Sequence, residues 1–200
     1  MNAAQFIPAA AAVFGIAETE LRTVDRALSD AGLREKAVGR NYPDVTRTEA
    51  VRLLLGVCAA PRLTDAGRIV SEVETSIRNV VTDVERFTGQ IPHPTETDDD
   101  FCFASFRFTR KEAVAMTIVQ AIERVCGWLA SADAPNWVVE VEISVGGTVA
   151  IQARDWDDDR RAVIYFTGAM SFNGYPGIET VRHVRKHVLR WIGANTEVRP

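Results

Sequence analysis

"AAAVFGIAETELRTVDRALSDAGLR", residues 10–34, sets a glycine between two apolar residues, with a polar helical pattern starting directly after it. Two helices that cross steeply need a small residue on the first, where the second passes over it. Four positions later the turn needs a residue tolerant of positive φ, with apolar residues on both sides. Gly15 fits the turn, Ala11 the crossing, and Phe14 and Ile16 the flanks. Leu21 and Val24 then face inward from the second helix, and Ala10 takes the remaining inward slot of the first. The spacing predicts two packed helices joined by a tight glycine turn.

The rest of the composition bounds what such a pair can belong to. Two hundred residues, 46% of them hydrophobic, are enough for one large or two small cores. No apolar run approaches the length needed to cross a bilayer. The opening "MNAAQFIPAAAAVF" has no Lys or Arg before its apolar stretch, so it does not read as a secretory leader. Cys58, Cys102 and Cys126 are far apart, odd in number and set among apolar residues, as reduced thiols of a cytoplasmic protein are. The net charge of −4 excludes a generally cationic nucleic-acid coat but not a local basic face.

The occupied slots of residues 10–24 resemble the DNA-binding helix-turn-helix of bacterial and phage regulators. The similarity continues into "ALSDAGLR", which is like the end of a recognition helix, and "EKAVGRNYPD", which is similar to a small wing around Gly39. A looser likeness, to prophage-type proteins, lies in the following helix, "TRTEAVRLLLGV". The resemblance covers about the first 60 residues and implies sequence-specific binding of double-stranded DNA. With Leu21, Val24 and Leu28 inward, Thr19, Glu20, Arg22, Thr23 and Arg26 are left outward. An arginine can bridge both major-groove acceptors of guanine, and a threonine can meet a phosphate or a thymine methyl. Arg34, Lys36 and Arg40 are placed to hold phosphates. Against this, Glu18, Glu20, Asp25 and Asp30 lie in or beside the same helix. Residues 1–47 carry six basic and six acidic side chains. The bland alternative is a helical hairpin inside a bundle, used on no partner or on a protein.

Further along, the chain divides at residues 88–100, "TGQIPHPTETDDD", whose prolines, glycine and acidic run mark a linker. Residues 1–87 read as helical. Thr46 and Glu49 form a capping box opening a helix to Ala59, with Val51, Leu54, Leu55 and Cys58 on its apolar face and Pro61 beyond its end. A second helix is expected from Leu63 to Val81. Residues 101–200 read as an α+β unit for oligomerisation or partner binding. It comprises a strand at Phe101–Thr109, one helix over "RKEAVAMTIVQAIERVCGWLAS", strands at "WVVEVEISV", "TVAIQAR" and "AVIYFTG", and a closing helix from Ile178 to Ile192. Gly146–Gly147 and "DWDDDR" are the turns between the three strands.

The remaining chemistry is thin. On the expected closing helix His183 and His187 stand four apart, as metal ligands can, but no partner ligand is evident and an apolar stripe runs beside them. Arg182, Arg185, Lys186 and Arg190 make that segment the most basic of the chain. The aspartates of "DWDDDR" lack the glycine and glutamate of a calcium loop. No nucleophile elbow or phosphate-cradling glycine loop is present. The expectation is a non-catalytic, cofactor-free cytoplasmic regulator acting as a homodimer on DNA. Its dimer surface would be the apolar face of Val114–Leu129 or the closing helix. The alternative is an adaptor or inhibitor of a protein partner, and a distant third is a metal enzyme at His183 and His187.

Overall fold

The computed structural model describes residues 1–36, 43–75, 78–86, 106–131, 137–145, 149–155, 160–168 and 180–197. The chain opens with α1 (Ala3–Phe14) and α2 (Glu18–Asp30). Asn2 caps α1 by accepting the Gln5 N–H at 3.1 Å. Gly15 ends it in the left-handed region, φ 70°, and the Ile16 N–H reaches back to the Ala11 carbonyl at 3.1 Å. That six-residue closure satisfies a helix-end carbonyl and requires the positive φ that glycine takes without strain. The expected slots are filled as read: Ala10, Ala11, Leu21, Val24 and Leu28 are buried, and Phe14 and Ile16 pack at the core's edge.

Next come α3 (Arg47–Ala59) and, after a 3-10 turn at Leu63–Asp65, α4 (Ala66–Thr75). The Thr46–Glu49 capping box is present, with the Glu49 N–H on the Thr46 hydroxyl at 3.2 Å and the Thr46 N–H on Glu49 at 2.9 Å. Glycines set the closeness of these helices. A Cβ on Gly56 of α3 would come within 2.7 Å of Val24, and one on Gly67 of α4 within 2.5 Å of the Ala27 carbonyl. The inner side of α2 is therefore closed by α3 and α4.

The helix expected to reach Val81 stops at Thr75. Residues Arg78–Arg86 form β1 instead. Val80, Val81, Thr82 and Val84 are β-branched, and pairing with a sheet outweighs a spacing that also suits a helix. The other strands are β2 (Val138–Ser144), β3 (Val149–Asp155), β4 (Arg160–Gly168) and β5 (Val181–Arg185). Among the described residues they form one antiparallel sheet in the order β1-β4-β3-β2-β5. The three central strands are those read from the sequence. The turns between them, and residues 101–105 of the expected first strand, lie outside the described residues, and residues 106–109 are not a strand.

Three more helices occur among the described residues. The expected single helix after Thr109 is two, α5 (Arg110–Ala115) and α6 (Ile118–Ala130). Each has its own capping box, Thr109 with Glu112 and Thr117 with Gln120, so the second box ends the first helix. The expected closing helix is likewise divided: Val181–Arg185 is edge strand β5, and only Lys186–Asn195 is helical, as α7.

Val139, Val141 and Ile143 of β2, Ile151 of β3, Ile164 of β4 and Val184 of β5 pack with α6, α7 and the N-terminal helices in one continuous core. Ile118, Ile122, Val125 and Leu129 of α6 and Val188, Leu189 and Ile192 of α7 are buried in it. The apolar faces of α6 and α7, expected to form a dimer, are thus covered by the chain itself, while Val114 of α5 stays exposed. The end of the chain returns to α3, where the Arg47 N–H donates to the Glu197 carbonyl at 2.9 Å. Among the described residues no helix is long and apolar enough to cross a membrane.

Candidate functional site

The outward side of α2 carries most of the residues expected to touch DNA. Thr19, Glu20, Arg22 and Arg26 are exposed and Thr23 is half-buried. Glu20, the residue hardest to reconcile with a polyanion, sits in the first turn and accepts the Ala17 N–H at 3.3 Å. It serves the helix start, where negative charge is favoured. Arg22 is held along its own helix by Glu18 at 2.6 Å, and the Thr23 hydroxyl donates to the Thr19 carbonyl at 2.9 Å. Arg26 has no ion-pair partner among the described residues. Lys36 is exposed and pairs with Asp30 at 3.0 Å.

Arg34 departs from the expectation. Its side chain is 2% exposed and pairs with Asp25 at 2.8 Å and Glu49 at 3.2 Å. Turned inward between α2 and α3, it cannot reach a phosphate. Burial would raise the Glu49 carboxyl, but N–H bonds from Glu35 and Thr46, the Arg34 guanidinium and the Thr46 hydroxyl together hold it below the ordinary value. Arg40, and most of the segment read as a wing, lie outside the described residues.

A second cluster lies across the molecule, where β5 meets α7. His183 and His187 do not share a helical face, because the first is on the strand and the second on the helix. His183 instead stands opposite Glu142 in the β2–β5 register, and its Nδ1 is 3.5 Å from Glu142 and 3.4 Å from Glu140. Those three residues bring potential ligand atoms within 4.8 Å of one another, and an exposed histidine between two carboxylates needs no ion to be stable there. Beside them Trp137, Val138, Val139, Glu140, Arg185, Lys186, His187 and Arg190 line an open cavity of about 650 Å³. The basic run was visible in the sequence, but not its division: Arg185, Lys186 and Arg190 line this cavity, while Arg182 donates to the Val57 carbonyl at 2.7 Å.

Matched against family models, curated proteins and solved structures, the chain finds no counterpart. What it does must therefore be argued from its own geometry.

Proposed function

We propose that the protein binds double-stranded DNA through α2 and controls transcription, as a cytoplasmic homodimer without catalytic activity. The observation that supports this is the Gly15 turn. Its left-handed φ and the Ile16-to-Ala11 hydrogen bond seat Leu21, Val24 and Leu28 inward, leaving Thr19, Arg22 and Arg26 on the open side of α2. Arg26 and Arg22 are the base-reading candidates, Thr19 and Thr23 meet phosphate or thymine methyl, and Lys36 and Arg40 hold the backbone. Two such units in a dimer would address half-sites about 34 Å apart.

The charges of α2 are mixed in sign, and Arg22 is paired with Glu18, which favours a second reading in which α2 docks on a protein. One selection experiment separates the two. The wild type and an Arg22→Ala/Arg26→Ala variant are each incubated with a random duplex pool at two salt concentrations. DNA reading predicts one motif enriched by the wild type alone, with affinity falling steeply as salt rises. No enriched motif and weak binding even at low salt would overturn it in favour of the protein partner.

A further inference from the structure

The cavity at the start of α7 is lined mainly by basic side chains. Arg185, Lys186 and Arg190 line it together with His187, against one carboxylate, Glu140. Although Glu140 faces Arg185 across the β2–β5 register, neither Arg185 nor Arg190 has an ion-pair partner among the described residues. The Lys186 ammonium donates to the Trp137 carbonyl at 2.8 Å, which points it along the cavity wall. Burial, and then the nearby Arg190, pushes Lys186 below its ordinary pKa. This crowding occurs on a chain whose net charge is −4. Like charges brought together repel, and a bound anion relieves that repulsion. The same cavity meets the first turn of α7, whose cap residue Arg185 makes no side-chain bond to the helix N–H groups.

The other walls narrow the class of anion. Trp137 lines the cavity, and its indole is held by an edge contact with Trp128 at 6.2 Å between ring centres. Sites for small organic ligands commonly enclose about 300–1,000 Å³, so about 650 Å³ is more than a bare phosphate fills and suits a nucleotide. A phosphate on the arginines and a base against the indole would use both walls at once.

We propose that this cavity binds a nucleoside phosphate, with Arg185 and Arg190 on the phosphate and Trp137 beside the base. The ligand is either a free nucleotide or one unit of a single strand. The site stands independently of α2, none of whose residues line it.

Titrations of the full chain with inorganic phosphate, AMP and an octathymidylate, followed by calorimetry and amide NMR, test it. The wild type is compared with Arg185→Ala/Arg190→Ala, with Trp137→Phe and with the α2 variant Arg22→Ala/Arg26→Ala. The expected result is that AMP binds more tightly than phosphate, with shifts centred on residues 137–140 and 185–190. Loss of the two arginines weakens it at least tenfold, while the α2 variant binds as the wild type does. If the octamer binds in that same way and AMP does not, the site is supported with a strand as its source. The proposal is overturned by binding that survives loss of both arginines, by equal affinity for phosphate and AMP, or by no saturable binding of any probe. Arg185 and Arg190 are exposed, so their variants should fold; matching thermal melts check that, and Trp137→Phe provides a second reading of the aromatic wall.

Discussion

Arg34 and Glu49 meet 3.2 Å apart in the interior, and their pairing ties the end of α2 to the first turn of α3. The same glutamate caps α3 through Thr46 and accepts the Glu35 N–H at 2.8 Å, so one side chain joins residues 34–35 to the start of α3.

Removing Arg34 leaves the Asp25 and Glu49 carboxylates without the buried cation they share. Arg34→Ala is expected to lower unfolding free energy by about 3–5 kcal/mol. Replacing both, as Arg34→Met/Glu49→Leu, should recover part of that loss, though not the Thr46 cap. Urea denaturation of the singles and the double is the measurement. A loss below about 1 kcal/mol in Arg34→Ala would show the pair to be solvated.

The depressed Glu49 carboxyl makes stability depend on acid. A group whose folded pKa lies below its unfolded value stabilises the fold above the unfolded value, here near 4.5, and the contribution disappears as pH falls through the folded one. The stability difference between the wild type and Glu49→Gln should be constant from neutrality to about pH 5 and shrink below pH 4.5. Denaturation at a series of pH values reads it directly. A difference that grows on acidification would contradict the assignment.

Two glycines should respond differently to alanine. At Gly15 an added Cβ meets nothing within 4 Å, so Gly15→Ala should cost only the left-handed backbone strain, about 1–2 kcal/mol. At Gly193 the Cβ would collide with the Cys126 carbonyl and stand 2.9 Å from the Ala130 Cβ, forcing α7 away from α6. Overpacking of that kind costs about 1–3 kcal/mol or more, and a backbone collision belongs at the upper end. Thermal melts should rank Gly193→Ala as the more damaging change.

Burial raises the Cys58 thiol to about 11, against the pull of Arg182, and the Cys126 thiol to about 12, against that of Arg47. Neither forms thiolate near neutral pH, so both should resist iodoacetamide in the folded protein and react in urea. Peptide mapping by mass spectrometry distinguishes the sites. Labelling of Cys126 under native conditions would mean that the α6–α7 interface opens.

Much of the N-terminal fold was legible because its signals are local. A glycine at the one position needing positive φ, and a threonine three residues before a glutamate, specify a turn and a helix start without reference to distant chain. The same signal at Thr117–Gln120 divides α5 from α6, although periodicity alone ran them together. The candidate sites were less legible. Arg34 and Arg26 look equivalent in the sequence, yet Glu49, fifteen residues beyond Arg34, draws one inside while the other stays in solvent.

The sequence by itself determined the helix pair around Gly15, the capped start of α3 and the three central strands, because each rests on contacts between near neighbours or on simple alternation. Tertiary structure alone decided that Arg78–Arg86 and Val181–Arg185 are strands, since their spacing also suits a helix and the sheet edges that capture them come from far along the chain. It decided, by the same capture, that the basic residues after His183 converge on a cavity beside Trp137. A charged side chain carries little conformational preference of its own, and its position follows from which backbone the core has already placed beneath it.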